Sequence, residues 1–334
     1  MLKKILLIST GGTIASRRSD HGLTPVMGSE ELLSYVPRVK QYCMVDTCEL
    51  FNLDSTNITP DHWLQIAGAI QQHYDNYDGF VIAHGTDTMA YTAAALSYLI
   101  QDSPKPIVLT GGQTPIDMES TDARRNLQDA FLYASYDYAA GVQVVFSGNV
   151  ILGTRAKKTH SKDYNAFSSM NYPCLASIRD GKIFPFINQA KDKQVTFYNR
   201  LSRRVGVIKL TPGASPDLLG YYLKKCEAVI IESFGTGGIP QGEGLDYHRV
   251  IDRYYNAGKI MIMTTQVLND GSDVSVYKVG ADIKEEYHLL EAYDMTTEAA
   301  LAKLMWILPQ ANTRQQIEQM FYTPIANDLL YQVK

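Results

Sequence analysis

Short aliphatic runs alternate with longer amphipathic runs along this chain, and the alternation limits the fold more than any other feature. The aliphatic runs have strand length and few polar residues: 4–9, 79–83, 106–110, 142–146, 205–210, 228–232 and 259–264. The longer runs have helical spacing: 29–36, 60–73, 88–100, 121–134, 215–224, 246–257, 296–308 and 312–320. Strands that lack polar alternation are buried on both faces, so the pattern predicts an α/β fold with a doubly wound, mainly parallel sheet.

A change of composition divides the chain into two parts. Residues 186–204 are polar, become basic toward their end and have no strong period. We therefore predict a larger N-terminal domain over 1–188, which carries most of the candidate catalytic residues, and a smaller C-terminal α/β domain over 205–334. The connection is placed at 189–204. A chain of 334 residues is long enough for two domains of ordinary size.

Charge, cysteine usage and apolar content argue against several classes of function. The net charge is −4 and the pI about 6.0, with no basic stripe, so nucleic acid is not an expected partner. The first apolar run is too short for an export signal, and no run reaches the ~18 apolar residues of a membrane helix. The cysteines lack metal-ligand spacing and are interpreted as reduced thiols: Cys43, Cys48, Cys174 and Cys226. We expect a cytoplasmic protein without a membrane partner.

Three of the predicted strands run into similar turns that contain glycine and threonine. Their sequences are LLISTGGT at 6–13, VIAHGTDT at 81–88 and IVLTGGQT at 107–114. In an open α/β sheet the carboxyl ends of parallel strands form the ligand crevice, so these turns are expected to meet there. Glycine permits close approach of the backbone to a ligand, and helix N-termini favour an anionic group. Thr88 could cap the helix that follows the second turn.

Several familiar site motifs are absent from the sequence. It contains no G-x-x-x-x-G-K-[ST], no G-x-G-x-x-G after a strand, no G-x-S-x-G and no H-E-x-x-H. Binding of a nucleotide by these turns is therefore disfavoured, as are the common serine and zinc hydrolase routes. His84 is interpreted as a structural hydrogen-bonding residue rather than as a base.

A threonine nucleophile is the remaining chemistry. A threonine hydroxyl is weak at neutral pH and needs a neighbouring base, often an amine. Thr86 and Asp87 place a hydroxyl and a carboxylate on one turn, and the carboxylate could orient that amine or hold a substrate ammonium group. Three lysines are candidates for the amine: Lys157, Lys158 and Lys162. Their chemistry does not choose among them, and each could instead be a solvated surface lysine.

These and other segments together resemble the L-asparaginases of the bacterial cytoplasmic kind, often called type I. The resemblance is carried by STGGTIAS at 9–16, NLDSTNITPDHW at 52–63, HGTDTMAYTAAALSY at 84–98, LTGGQTPIDMESTDARRNL at 109–127, KKTHSKDYNAF at 157–167 and VIIESFGTGGIP at 229–240. The match runs in order along nearly the whole chain. TGGTIA and HGTDTMAYTA are highly specific when they occur together.

The resemblance implies an enzyme that hydrolyses L-asparagine to L-aspartate and ammonia without a metal or cofactor, with glutamine as a weaker substrate. Thr13 would be the nucleophile, on a mobile loop that closes over the substrate. Thr86 would be the second essential threonine, with Lys158 as its basic partner and Asp87 as the third member. Lys158 is chosen over Lys157 by alignment with the family pattern alone.

The resemblance also assigns the binding of the substrate and the assembly of the protein. Asp87 would hold the α-ammonium group, and Asp54 and Ser55 would bind the α-amino and α-carboxylate end. Backbone N–H groups of the Thr86 turn would stabilise the oxyanion. The family pattern further implies intimate homodimers, commonly paired into homotetramers.

The sequence departs from the family pattern at a few positions. Leu23 replaces a tyrosine that helps many relatives to activate the first threonine, so that activation needs water, Thr24 or another group. Some relatives have a separate effector site that is built partly on a threonine and a cysteine. Lys157 and Val267 occupy the matching positions in this chain, so we do not expect that form of allostery. Gly238 replaces an asparagine that reaches a neighbouring active site in exported relatives, so that contribution is not transferred.

Two alternatives stay open. The first is an amidotransferase subunit that resembles asparaginases and acts with a partner on misacylated tRNA. Such subunits usually carry an additional N-terminal module, whereas here the first strand is predicted to begin at residue 4 and the net charge is acidic. The second is a non-catalytic protein that binds an amino acid or phosphate through the same glycine turns. It would not need a set of threonine, aspartate and lysine.

Overall fold

The computed structural model describes residues 2–19, 22–189, 193–240, 242, 244–276, 284, 286–287 and 289–331. The chain separates into two units, Met1–Asn199 and Arg200–Lys334. Both are built from parallel strands that alternate with helices, which confirms the predicted fold class. Part of the predicted connection, residues 190–192, lies outside the described residues. Within the described ranges, no helix is long and apolar enough to cross a membrane.

The N-terminal unit contains the larger sheet. Its strands are β1 (Lys3–Gly11), β2 (Ser16–Ser19), β3 (Gly22–Pro25), β4 (Cys43–Leu53), β5 (Gly79–Ala83), β6 (Ile100–Gln101), β7 (Pro106–Thr110), β8 (Gly141–Phe146), β9 (Asn149–Leu152), β10 (Ala156–Lys158), β11 (Phe167–Ser169), β12 (Ala176–Arg179), β13 (Lys182–Pro185) and β14 (Thr196–Phe197). Eight of them form one sheet in the order β13-β12-β9-β8-β7-β5-β1-β4. Strands β4, β1, β5, β7 and β8 are parallel, and the following three alternate in direction.

The helices of this unit differ in how much of their surface they bury. They are α1 (Ser29–Ser34), α2 (Pro60–His73), α3 (Met89–Leu99) and α4 (Ala123–Ala134). Helix α3 is rich in alanine and buries nearly every residue, which a helix packed on several sides requires. Helix α4 instead buries one face and exposes the other. Strands β5 and β7 are buried at every position, as their continuous apolar sequences predict.

The C-terminal unit has a four-stranded parallel sheet in sequential order. Its strands are β15 (Val205–Lys209), β16 (Ala228–Ser233), β17 (Ile260–Thr265) and β18 (Leu290–Glu291), and its helices are α5 (Pro216–Lys225), α6 (Tyr247–Asn256), α7 (Thr297–Ile307) and α8 (Arg314–Tyr322). Helix α5 begins as its sequence predicts, because the Ser215 hydroxyl accepts the Asp217 N–H at 3.2 Å and Pro216 occupies the first turn. Across both units, the predicted helices are present with ends within two residues of those expected.

The edge strand β4 was missed by the search for aliphatic runs. Its sequence, CMVDTCELFNL, has no continuous apolar core, and most of its residues are only partly buried. An edge strand has a neighbour on one side alone, so it does not need the apolar composition of β5. Its parallel pairing with β1 brings Leu53 beside Gly11, and thereby brings the Asp54 segment to the end of β1.

Candidate functional site

The turns after β1, β5 and β7 meet backbone to backbone. A Cβ atom placed on Gly12 would lie 2.3 Å from the Cα of Gly85, and one placed on Gly111 would lie 2.3 Å from the carbonyl oxygen of His84. Gly12 also has a φ of +81°, which side-chain-bearing residues rarely adopt. Glycine is therefore required for both reasons at the first turn. The contacts produce the crevice that the similar strand ends predicted.

Thr86, Asp87 and Lys158 form a hydrogen-bonded cluster in this crevice, which we call the Thr–Asp–Lys cluster. The Lys158 ammonium nitrogen lies 2.7 Å from Thr86 Oγ1 and 2.7 Å from Asp87 Oδ1. Thr86 is buried, and the Lys158 side chain is 17% exposed, whereas that of Asp87 is 57% exposed. A mostly covered amine therefore bridges a buried hydroxyl and a carboxylate that solvent can reach.

The pairing of β10 with β11 separates the three candidate lysines. Lys157 and Lys158 are consecutive on β10, paired with Ser168 and Phe167, so their side chains point to opposite faces. Lys158 faces Thr86, and Lys157 does not share that face. Lys162 lies in the exposed segment beyond the strand. The structure thus brings one of the three to the turn that carries Thr86.

Gln113 contacts the cluster and was not singled out in the sequence. The Thr86 hydroxyl donates to Gln113 Oε1 at 3.1 Å, and the side-chain nitrogen Nε2 of Gln113 donates to the backbone carbonyl oxygen of Asp163 at 3.1 Å. Since Thr86 already accepts a hydrogen bond from Lys158, Gln113 determines where the hydroxyl hydrogen points. Its place in the third glycine turn, directly after Gly112, was the available signal.

Asp122 holds the Gln113 turn in place. Its carboxylate accepts the backbone N–H groups of Gln113, at 2.9 and 3.0 Å, and of Thr114, at 3.1 Å. It also accepts a hydrogen bond from the side-chain nitrogen Nδ2 of Asn126 at 3.1 Å, and the same nitrogen donates to the Gly111 carbonyl oxygen at 3.0 Å. The start of α4 therefore fixes the turn after β7.

Asp54 and Ser55 lie at the end of β4 and border the same crevice. A Cβ atom on Gly85 would lie 2.6 Å from Ser55 Oγ, so Ser55 packs on the turn that carries Thr86. The Thr88 hydroxyl donates to the Ser55 carbonyl oxygen at 2.8 Å. Thr88 precedes α3 as expected but makes no side-chain cap bond, because its hydroxyl is used in this link. Asp54 is exposed, and its Oδ1 accepts both the backbone N–H and the hydroxyl of Thr56.

Thr13 begins a 3₁₀ turn, Thr13–Ala15, directly after Gly12. Because Gly12 touches Gly85, the residues that follow these two glycines, Thr13 and Thr86, leave the same point of contact. Thr13 is half-buried, and its hydroxyl has no hydrogen-bond partner within the described part of the chain. No hydrogen bond therefore joins Thr13 to the Thr–Asp–Lys cluster among those residues.

A β-hairpin follows Thr13 in the chain. Strands β2 and β3 pair antiparallel, with Leu23 opposite Arg18 and Thr24 opposite Arg17. Leu23 is 48% exposed. The carbonyl oxygen of Ala15 accepts the N–H groups of Val26 and Met27, each at 2.9 Å, which closes the base of the hairpin.

His84 is fully buried, and both ring nitrogens have partners. Nδ1 lies 2.6 Å from the Gly85 carbonyl oxygen, and Nε2 lies 2.9 Å from the Thr92 hydroxyl, which also accepts the Trp63 indole N–H at 3.0 Å. Burial lowers the pKa of His84 to about 4, although the Gly85 bond opposes that change. His84 is thus a neutral structural residue, with Nδ1–H donating to Gly85.

The described residues contain no group of three histidine, cysteine, aspartate or glutamate side chains arranged to hold a metal ion. The four cysteines are free thiols. The crevice offers the Lys158 amine, the hydroxyl groups of Thr13 and Thr86 on adjacent turns, and the carboxylates of Asp54 and Asp87 at its rim. That set can hold a ligand ammonium group and move a proton beside a hydroxyl nucleophile.

The fold and crevice define the chain as an α/β protein whose polar groups lie at the carboxyl ends of parallel strands. Comparison with known proteins identifies the family. Residues 4–191 match the asparaginase N-terminal domain, and residues 204–321 match the glutaminase/asparaginase C-terminal domain. The chain belongs to the asparaginase family.

Similar proteins carry two kinds of name. The chain is 37% identical to L-asparaginase of Thermococcus kodakarensis, covering 98% of this chain and 99% of that protein. A solved structure described as the thermostable L-asparaginase from Thermococcus kodakarensis is 36% identical, covers 98% of this chain and 100% of that chain, and superposes with a TM-score of 0.92. It is 32% identical to L-asparaginase 1 of Escherichia coli, over 98% of each chain. It is also 32% identical to a glutamyl-tRNA(Gln) amidotransferase subunit of Methanosphaera stadtmanae, over 98% of this chain and 77% of that protein.

Proposed function

We propose that this protein hydrolyses L-asparagine to L-aspartate and ammonia through a threonine nucleophile. The observation that carries the proposal is the position of the Lys158 ammonium nitrogen, 2.7 Å from both Thr86 Oγ1 and Asp87 Oδ1. The relatives named L-asparaginase support the choice of substrate.

Thr13 is the proposed nucleophile. Its oxygen attacks the side-chain amide carbon and forms an ester, while the C–N bond breaks. The amide NH2 group takes up the proton that the threonine hydroxyl has lost and leaves as ammonia. Water then hydrolyses the ester, which releases aspartate and restores the hydroxyl. Thr86 and Lys158 carry protons between these groups, and the side-chain oxygen Oε1 of Gln113 orients the Thr86 hydroxyl. The backbone N–H groups of the Thr86 turn stabilise the oxyanion.

The groups at the rim hold the amino-acid end of the substrate. Asp87, which solvent can reach, binds the α-ammonium group, and Asp54 assists it. Ser55 binds the α-carboxylate end. Thr88 supports this arrangement because its hydroxyl bond to the Ser55 carbonyl keeps the two segments together. Removal of Asp54 or Ser55 should therefore raise KM more than it lowers kcat, whereas removal of Asp87, which also contacts Lys158, should lower kcat as well.

The experiment measures ammonia release from L-asparagine, L-glutamine and D-asparagine. We expect turnover of L-asparagine, weaker turnover of L-glutamine and little of D-asparagine. Lys158→Met and Thr86→Val should lower kcat by roughly 10²–10⁴-fold, because they remove the proton-transfer groups. Thr13→Ala should lower kcat by at least about 10³-fold.

Lys157→Met is the matched control, since it removes a lysine from the opposite face of the same strand and should retain activity. Circular dichroism checks that each variant is folded. No turnover by the unmodified protein would refute the proposal, and full activity of Thr86→Val would refute the role of the cluster. Peptide mapping of acid-quenched reactions should locate the acyl group on Thr13; an acyl group on Thr86 would exchange the two roles.

An amidotransferase subunit is the second candidate, because some relatives carry that name. It predicts that amide hydrolysis depends on tRNA and a partner protein. Ammonia release from free asparagine by the isolated protein favours the first proposal. We also propose a cytoplasmic location and a homodimer or homotetramer, in agreement with the family resemblance.

A further inference from the structure

A polar cavity lies in the N-terminal unit and shares no residue with the Thr–Asp–Lys cluster. Its volume is about 850 Å³. Helix α4, the 3₁₀ helix Pro37–Gln41 with Tyr42, and the turn between β12 and β13 form its walls. A cavity of this size can hold a ligand of nucleotide size, since small-molecule sites commonly measure about 300–1,000 Å³.

Three arginines from separate elements line this cavity. Arg38 belongs to the 3₁₀ helix, Arg125 to α4 and Arg179 to the end of β12. Arg38 and Arg179 are exposed, and among the residues that the structure describes their guanidinium groups have neither an ion pair nor a hydrogen bond to a protein atom. Guanidinium groups match phosphate oxygens with paired hydrogen bonds, so two without partners at one cavity favour a phosphate ligand.

Asp129 adds a second, independent observation. It is 7% exposed, and its Oδ2 is buried without a hydrogen-bond partner among the described residues. Arg125 Nε lies 3.6 Å away, which gives an ion pair that is too long for a hydrogen bond. Burial raises the pKa of the Asp129 carboxyl to about 6, against the opposing effect of Arg125. A buried acceptor of this kind lacks a donor.

A free inorganic anion would satisfy the arginines but not Asp129. It would leave the buried carboxylate without a donor and place another negative charge near it and near Asp180, which also lines the cavity. A ligand that suits the whole wall has a phosphate at one end and an N–H donor at the other. Tyr42 also lines the cavity and offers an aromatic ring that a base can contact.

We propose that this cavity binds a nucleoside monophosphate whose base carries an amino group. The phosphate lies between Arg38 and Arg179, and the base contacts Tyr42. The amino group donates to the Asp129 carboxylate, whose buried Oδ2 turns toward the cavity when the ligand binds. The binding does not depend on the proposed hydrolysis, because no residue of the cluster takes part.

Isothermal titration calorimetry on the full chain tests the proposal with AMP, purine riboside monophosphate and inorganic phosphate as separate probes. AMP should bind at least about tenfold more tightly than phosphate, which corresponds to about 1.4 kcal/mol, and more tightly than purine riboside monophosphate, which lacks the amino group and has no N–H donor on its base. Arg38→Gln and Arg179→Gln should each weaken AMP binding by about tenfold. Asp129→Asn should reduce the preference for AMP over purine riboside monophosphate.

The chain offers a matched control for each arginine. Lys40 lies on the same 3₁₀ helix as Arg38, and Lys182 lies on the same hairpin as Arg179, but neither lysine lines the cavity. The control variants are Lys40→Gln and Lys182→Gln. Both remove one positive charge and should change AMP affinity by less than about twofold. Absence of AMP binding overturns the proposal. Equal affinity for AMP and phosphate, or equal losses in the lysine controls, also overturns it, because either result indicates attraction by surface charge alone.

Discussion

At the scale of single residues, His84 connects the core to the turn that carries Thr86. Its Nδ1–H holds the Gly85 carbonyl oxygen, and its Nε2 accepts from Thr92. The peptide between Gly85 and Thr86 is thereby fixed in direction. This is a structural role beside the site, and it requires the ring to be neutral.

The neutral ring makes the stability of the protein depend on pH. The pKa of His84 is about 4 in the folded chain, below its ordinary value of 6.5, so the unfolded chain binds more protons between these values. The stabilisation is complete above about pH 6.5 and decreases as pH falls, by about 2 kcal/mol at about pH 5. We expect His84→Gln to be less stable than the unmodified chain at neutral pH, and the difference to decrease toward pH 5.

Calorimetric melting temperatures at both pH values measure this difference. His160→Gln, at an exposed position, controls for the removal of an imidazole. A difference between His84→Gln and the unmodified chain that stays constant with pH would contradict the neutral, buried ring.

At the scale of elements, α7 is joined to the C-terminal segment by a buried ion pair. Lys303 Nζ lies 2.8 Å from Asp328 Oδ2, and both side chains are fully buried. The same nitrogen donates to the Thr323 carbonyl oxygen at 2.8 Å. Burial lowers the pKa of Lys303 despite the attraction of Asp328. The pair therefore attaches the segment after α8 to the helix before it.

Lys303→Met should destabilise the protein by about 3–5 kcal/mol, because it removes the cation that faces a buried carboxylate. The double variant Lys303→Met with Asp328→Asn should recover part of that loss, since the negative charge is then removed as well. Urea unfolding measures both values. Lys224→Met, at an exposed position on α5, is the control and should cost less than about 0.5 kcal/mol. If the double variant is no more stable than Lys303→Met, the charge explanation is wrong.

At the scale of the whole molecule, the net charge of −4 bears on the choice between the two proposed functions. Binding of tRNA depends on lysine and arginine side chains that neutralise phosphates. We expect no saturable binding of labelled tRNA below about 10 μM at about 150 mM salt, measured by fluorescence anisotropy. Binding that weakens steeply with added salt would instead favour the amidotransferase subunit.

Much of the fold could be predicted from the sequence because its signals are local. The continuous apolar runs became β5 and β7, and the helical runs became helices with nearly the expected ends. Strand β4 could not be found in this way, since an edge strand is only partly covered and its sequence shows no apolar run. The glycines of the three turns indicated close contacts, but not which turn touches which.

The sequence by itself determined the α/β class, the crevice at the strand ends and the presence of a hydroxyl and a carboxylate at Thr86 and Asp87. The chemistry of the residues left three lysines open, and the family resemblance named Lys158. Only the tertiary structure placed the Lys158 nitrogen beside Thr86. Only the tertiary structure likewise brought Gln113 to the same hydroxyl and the three arginines to one cavity. The physical reason is that strand patterns follow local burial, whereas these contacts join segments whose separation along the chain has no period.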